Sequence, residues 1–399
     1  MSVQRSNRGP RTTAVHAGEA PDPITGASAP NLVMSSTYVM EKPAGFSARY
    51  LDEESGFIYS RWGNPTVAQL EQKLAAMEGG EACLAFASGM AASAAVLLSA
   101  LSTGDHVVVS DTNYAGTAEL TRQTLPRFGI AVTTVDTSNP ANIANAMRPN
   151  TKLVWVETPA NPILRITNLR EAARIAHSGG AKLAVDSTFA TPIATNPLAL
   201  GADYVVHSLT KYICGHGDAV GGAVIGSKQA ISAIHLESTI HHGGVISPFN
   251  AWMIIRGAAT LPIRMAAHQT SAMKVAQFLE DDPRVPGVLY PGLASHPQHD
   301  VAAAQMDNFS GIIAFRVADG PATARRMTEK LAIIHYAVSL GHHRSLICWI
   351  GTDALMESSF QLSGEQLASY RAMAGDGVFR LSIGLEDPED LIADLDQVL

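Results

Sequence analysis

The sequence predicts an α/β protein with a large domain built on a mainly parallel sheet and a smaller C-terminal α+β domain. Two observations carry this. Short apolar runs alternate with helical stretches between about residues 106 and 207, and near Pro248 the pattern changes to long helices followed by separated strands. At 399 residues, 46% of them hydrophobic and 16% charged, the chain can fill two cores and is not disordered.

Residues 1–60 are rich in Pro, Gly and Ser without sustained periodicity, and read as an arm that contacts a neighbouring subunit. Val67, Leu70, Leu74 and Met77 then recur at helical spacing until Gly79-Gly80. The run Ala82–Leu101 has the length of a membrane span, yet its Ala, Ser and Gly content suits a buried helix after a glycine turn. Strands follow at 106–109, 131–135, 153–157, 182–186 and 204–207, with a helix at 169–177. Residues 249–279 read as helix interrupted at Leu261-Pro262, and strands recur at 311–317 and 379–383. The expected division is an arm over 1–60, a ligand-binding α/β domain over 61–255 and an α+β domain over 256–399.

The net charge of -8 gives no basic footprint for nucleic acid. Cys83, Cys214 and Cys348 form neither a disulfide framework nor a zinc pattern. The polar N-terminal stretch lacks the apolar centre of a signal peptide, so a soluble cytoplasmic protein is expected. The adjacent histidines at 241–242 and 342–343 have no metal-site spacing, and no metal is expected.

Parallel sheets bind ligands at the carboxyl ends of their strands, and several chemistry-bearing residues stand there. Lys211 follows the strand at 204–207 within Ser208-Leu-Thr-Lys211. A lysine there, with Ser208 and Thr210 as hydroxyl donors to a phosphate, suits a Schiff base with pyridoxal phosphate; an ordinary surface lysine is the alternative. Ser88-Gly89-Met90, opening an Ala-rich helix, offers free N–H groups to a phosphate, although many helices start this way. Asp186 ends its strand and could pair with a pyridinium nitrogen, or could simply cap a turn. Tyr114 could stack on a flat cofactor or pack as a loop residue. Tyr59 and Arg61 could complete a phosphate site, although alone Arg61 reads first as a surface arginine; Arg380 could clamp a carboxylate or equally face solvent.

Together these pieces resemble the cystathionine/methionine-metabolism family of pyridoxal-phosphate enzymes, of the aspartate-aminotransferase fold type (fold type I). The resemblance covers nearly the whole chain. It rests on Tyr59-Ser-Arg-Trp-Gly-Asn-Pro-Thr66, Ser88-Gly-Met90, Glu157-Thr-Pro-Ala-Asn-Pro162, Val185-Asp-Ser-Thr188, His207-Ser-Leu-Thr-Lys-Tyr212, Ser339-Leu-Gly341 and Arg380-Leu-Ser-Ile-Gly-Leu-Glu386. It implies that Lys211 holds the cofactor and moves protons, Asp186 holds the pyridine nitrogen protonated, and Tyr114 stacks on the ring and assists the leaving group. Ser88, Gly89, Met90, Ser208 and Thr210 would bind the phosphate, with Tyr59 and Arg61 from a partner subunit. Arg380, Ser339 and Asn161 would hold the carboxylate of a small amino-acid substrate. A homotetramer built as a dimer of dimers is implied.

Within the family, the pattern is nearest to methionine γ-lyase-like members. It implies elimination of the γ-substituent of methionine, an O-substituted homoserine or canavanine. A γ-replacement synthase joining an O-acyl-homoserine to a thiol is the alternative. Ile58 and Val338 are apolar where cystathionine-using members tend to carry Glu, and Gly116 stands where methionine γ-lyases typically carry Cys. The largest departure is Ser339-Leu-Gly-His-His-Arg-Ser-Leu346, where relatives commonly show Ser-Leu-Gly-Gly-x-Glu-Ser-Leu. His342, His343 and Arg344 are therefore expected to change the pocket and the leaving group it accepts.

Overall fold

A seven-stranded sheet carries the first half of the molecule, in the order β1-β7-β6-β5-β4-β2-β3. The computed structural model describes residues 8–40 and 56–399, so the expectations for 1–7 and 41–55 of the arm lie outside the described residues. The strands are β1 (Ala82–Phe86), β2 (His106–Ser110), β3 (Ala131–Val135), β4 (Thr151–Glu157), β5 (Lys182–Asp186), β6 (Tyr204–Ser208) and β7 (Gly222–Gly226). The five strands expected from sequence all form. The sheet is parallel apart from β7, which runs antiparallel to both β6 and β1.

Alternation of side chains along each strand separates two cores. Val107, Val109, Trp155, Ala184 and Val206 pack with the helix Gly89–Ala100 on one face, and Val108, Val154, Val156, Val185 and Val205 pack with the helix Leu169–Ser178 on the other. Both faces are covered, so these strands are apolar throughout. Each fully buried side chain of this size contributes about 1.5–3 kcal/mol.

The apolar run at 82–101 divides into strand β1 and the helix Gly89–Ala100, joined by the Ala87-Ser88 turn. No helix among the described residues is long and apolar enough to cross a membrane.

The arm does contribute to the core at one point. A short helix, Pro10–His16, buries Thr13 and Ala14. The buried Lys73 amine donates to the Ala14 carbonyl at 2.5 Å and pairs with Glu19 at 2.8 Å. Seven residues, about two helical turns, are too few for a hydrophobic spacing to be recognised in sequence.

The helices Pro248–Ala259 and Leu261–Asp281 lead from the large sheet to a five-stranded one, with Pro262 in the first turn of the second helix. This sheet comprises β8 (Gly287–Leu289), β9 (Ile312–Arg316), β10 (His335–Tyr336), β11 (Leu346–Gly351) and β12 (Gly377–Ser382), in the order β10-β11-β12-β9-β8. β12 is flanked on both sides, which places Arg380 opposite Cys348 of β11 and Ala314 of β9.

Candidate active site

Strand ends β4, β5 and β6 converge with the helix at Gly89 on one edge of the large sheet. Ser88 caps that helix by accepting from the Ala91 N–H at 3.1 Å, and the Gly89 and Met90 N–H groups have no acceptor among the described residues. A Cβ on Gly89 would lie 2.8 Å from the Cβ of Ser208, and one on Gly222 would lie 2.1 Å from the Ser88 carbonyl. Glycine at both places lets the turn lie directly against β6 and β7. The Ser208 N–H donates to Thr188 Oγ1 at 2.8 Å, while its own hydroxyl has no protein partner among the described residues. Free amides at a helix N-terminus beside a free hydroxyl suit a phosphate. The Thr210 hydroxyl is already bonded to Gly221, donating to its carbonyl at 3.2 Å and accepting from its N–H at 3.1 Å.

Within one chain, neither Tyr59 nor Arg61 hydrogen-bonds to Ser88, Gly89, Met90 or Ser208 among the described residues. The Arg61 guanidinium donates to the Ile240 carbonyl and lies 5.5 Å from the centre of the Tyr59 ring, which is exposed.

Lys211 sits in the turn after β6, its N–H donating to the Ser208 carbonyl at 3.2 Å. The buried Arg264 fixes the residues that follow, donating to the carbonyls of Tyr212 at 2.7 Å, Ile213 at 3.3 Å and Gly257 at 2.7 Å. Gly215 has φ of 75°, and a Cβ there would meet Arg264 Nη1 at 2.1 Å. Burial, with the nearby Arg380 guanidinium, pushes the Lys211 amine down to about 8. A neutral amine is therefore available well below the usual lysine range.

Asp186, at the end of β5, accepts from the Thr188 N–H at 3.0 Å and hydroxyl at 2.6 Å, both at Oδ1. Oδ2 accepts no hydrogen bond among the described residues, so one oxygen of this buried carboxyl is open to an N–H donor. Burial raises its pKa, against the Thr188 bonds. A pyridinium N–H is the kind of group that would return it to the carboxylate form.

Glu157, at the end of β4 and in register with Asp186, is a site residue that sequence reasoning left without a role. Its Oε2 accepts from the Tyr114 N–H at 2.6 Å and its Oε1 from the Asn161 N–H at 2.8 Å. Burial and the neighbouring Asp186 push its carboxyl well up. The available signal was its position, a second acidic residue closing an apolar strand beside Asp186. Tyr114 caps the turn into the short helix Ala115–Glu119 and has an exposed ring. A Cβ on Gly116 would lie 2.8 Å from that ring and 2.9 Å from Met90 Sδ.

Arg380 reaches the same place from the small sheet. Its Nη1 donates to Asn161 Oδ1 at 2.8 Å and its Nη2 to the Ser339 carbonyl at 3.3 Å, while its buried Nε has no partner among the described residues. An unpaired buried guanidinium N–H is costly and suits an incoming carboxylate. Ser339 has φ of 116°, which costs a non-glycine residue about 1–3 kcal/mol. That conformation turns its carbonyl to Arg380 and its hydroxyl to the Lys211 amine, at 3.0 Å.

The three residues that depart from the family pattern separate. The His342 Nε2 lies 3.2 Å from the Ser339 hydroxyl. His343 turns away, its N–H donating to the Gly215 carbonyl at 2.9 Å and its ring 5.6 Å from that of His216. Arg344 is exposed.

The residues present fit pyridoxal phosphate: a cradle of free amides, an open carboxyl oxygen and an amine of lowered pKa line one edge. A family model for "Cys/Met metabolism PLP-dependent enzyme" matches residues 11–399. The chain is 43% identical over 392 residues to a canavanine gamma-lyase of Pseudomonas canavaninivorans, covering 97% of this chain and 95% of that one. It is 44% identical over 390 residues to an L-methionine gamma-lyase of Fusobacterium nucleatum subsp. polymorphum, covering 97% of each. A cystathionine gamma-synthase of Mycobacterium bovis is 40% identical over 391 residues, covering 98% of this chain and 97% of that one. The crystal structure of metB from Corynebacterium glutamicum superimposes with a TM-score of 0.90 at 39% identity, covering 99% of both chains. The architecture is that of fold type I, and the chain belongs to the Cys/Met metabolism family of pyridoxal-phosphate-dependent enzymes.

Proposed function

We propose that this protein is a γ-lyase acting on an amino acid with an oxygen-linked γ-substituent of the canavanine type. One observation carries the α-proton abstraction with which the elimination begins. Arg380 and Lys211 bond to the carbonyl and the hydroxyl of the same residue, Ser339. A substrate carboxylate resting on Arg380 would thus bring its α-carbon beside the Lys211 amine.

Pyridoxal phosphate supplies an electron sink for the charge left when a C–H bond breaks. Lys211 would hold it, Asp186 would keep its ring nitrogen protonated, and Ser88, Gly89, Met90 and Ser208 would bind its phosphate, with Thr210 buttressing that loop through Gly221. Lys211 then takes a proton first from Cα and afterwards from Cβ, and the γ-substituent departs with its bonding electrons. Tyr114, exposed beside Gly116, is placed to protonate it.

An oxygen-linked leaving group is favoured by the imidazole that Ser339-Leu-Gly-His342 brings next to the amine. The 43% identity to a protein that eliminates from canavanine supports it. We further propose a cytoplasmic homotetramer in which Tyr59 and Arg61 serve the partner subunit's phosphate site. The exposed arm residues Ile24 and Val39, at 92% and 99%, are apolar surface for such a subunit to cover. Three free buried cysteines suit a reducing compartment.

The test is a substrate panel of canavanine, methionine and O-acyl-homoserines, assayed for 2-oxobutanoate, homoserine and the released group. The expected result is release from canavanine at the highest kcat/KM. No turnover of any γ-substituted amino acid would sink the reading. The second reading, a γ-replacement synthase, is favoured by the 40% identity to a cystathionine gamma-synthase. It predicts that added thiol diverts O-acyl-homoserine into a thioether.

A further inference from the structure

A cavity of about 360 Å³ opens beside β3, the edge strand of the large sheet, and neither Lys211 nor Arg380 lines it. Small-molecule sites commonly enclose about 300–1,000 Å³. Two wide, π-helical turns contribute to its wall. Leu120–Thr124, which brings Arg122, continues the helix that starts after Tyr114. Met356–Phe360 follows β11 and ends at Gln361, a non-glycine residue with φ of 51°. Turns of this kind and residues of positive φ recur at functional sites.

Arg122 is the only charged residue lining the cavity among the described residues. Its Nε and Nη1 are buried without a partner among them, and Nη2 alone is engaged, donating to the Ala118 carbonyl at 3.4 Å. The guanidinium also makes no ion pair among the described residues. Its acidic neighbour Glu119 instead accepts from the Ser359 hydroxyl, at 2.6 Å. Burial pushes the guanidinium pKa down and Glu119 pushes it back, but an arginine keeps its charge at neutral pH. Two buried cationic N–H groups beside a cavity call for an acceptor, and an anionic oxygen binds such donors more strongly than a neutral one.

The remaining wall decides what carries that oxygen. Pro126, Ile130, Val132 and Phe360 are apolar, so a compact inorganic anion would lose its water there and gain little in return. A carboxylate on a short hydrocarbon chain satisfies both parts of the wall, because its chain gains from leaving water. We propose that this cavity is a second small-molecule site, in which Arg122 holds the carboxylate of a short-chain organic acid. It is distinct from the site proposed for the amino-acid substrate and does not rest on the γ-lyase reading.

The test uses the holoenzyme and trifluorobutanoate, fluorinated at its terminal carbon, with binding followed by fluorine NMR. The acid has no amine, so it is not a substrate. Both proteins compared carry Arg380→Met, which removes the other guanidinium suited to a carboxylate. Saturable binding is expected where Arg122 is present. Adding Arg122→Met should weaken it by about 10-fold or more, as for loss of a hydrogen bond to a charged group. Binding that is unsaturable, or equal with and without Arg122, would overturn the proposal. Unlabelled butanoate should displace the fluorinated acid. Butanol lacks the charge and inorganic phosphate lacks the chain, so displacement by either at the same concentration as butanoate would overturn the assigned ligand class.

A second measurement leaves Arg380 in place. Arg122→Met removes donors that have no partner, so its Tm without ligand should equal or exceed that of wild-type holoenzyme. Butanoate should then raise the Tm of Arg122→Met by less than it raises that of wild type. A lower Tm without ligand would show that Arg122 serves the fold, and an equal rise with butanoate would place its binding elsewhere; either result would overturn the proposal.

Discussion

The end of the site proposed to hold the cofactor and the end proposed to hold the substrate are built by different means. At the cofactor end, Asp186, Ser208 and the Gly89 helix are delivered by strand ends and a helix N-terminus, each rigid within the seven-stranded sheet. At the substrate end, Ser339 lies in a loop with positive φ, and Arg380 and Asn161 arrive from separate elements to meet it. The first end would hold a cofactor that does not vary. The second can change its residues, as His342 does, without disturbing a strand register.

Removing Lys211 should have the largest effect, because nothing else at either end supplies an amine. Lys211→Ala should fold with wild-type circular dichroism, bind the cofactor without a covalent link and lose about 10³-fold or more in kcat. Near-wild-type turnover would contradict the division between the two ends.

Arg380→Lys tests the substrate end alone. Loss of the forked contact should raise KM by about 30-fold, near 2 kcal/mol for a hydrogen bond to a charged group, while the cofactor spectrum stays unchanged.

Glu157→Gln addresses the junction of the two ends. An amide side chain has only one acceptor oxygen for the Tyr114 and Asn161 N–H groups. Thermal unfolding should show a loss of about 1–3 kcal/mol.

Gly116→Cys presses on the exposed Tyr114 ring, which has solvent to turn into, and on the flexible end of Met90, so a loss of about 1 kcal/mol and a few-fold change in the methionine to canavanine kcat/KM ratio are expected.

The pH dependence is the mildest probe. A depressed lysine pKa means that the neutral, nucleophilic fraction grows as pH rises through the folded value. Uptake of pyridoxal phosphate by cofactor-stripped protein should therefore accelerate with a midpoint at about pH 8. A midpoint in the ordinary lysine range would show that burial and Arg380 do not act on the free amine.

The two ends also differed in how readable they were. Lys211, Asp186 and Ser88-Gly89-Met90 carry local signatures, since each follows or precedes an apolar run of recognisable period. Arg380 is marked by its place in the apolar strand at 379–383, whereas Asn161 and Ser339 have no such signature and are named by the family resemblance; the three meet only because β12 and two loops fold onto the sheet edge. Glu157 was visible as an acidic strand end but not as the acceptor that joins Tyr114 to Asn161. The reversed β7 was missed because Gly222–Gly226 has glycine at both ends and only three apolar side chains between them to mark it as a strand. The engagement of Thr210 by Gly221 depends on that same strand's approach.

The reversed strand also bears on the order of synthesis. Among the described strands β1 pairs with β7, Phe86 lying opposite Gly222, while β2 to β6 pair among themselves from a continuous stretch of chain. A nascent chain can therefore assemble the central strands first. β1 and the apolar face of the helix Pro65–Glu78 behind it must wait for residues 222–226 to leave the ribosome. Any product that ends before Gly222 leaves β1 without its partner strand, which makes that segment the expected handle for chaperones and the first seed of aggregation.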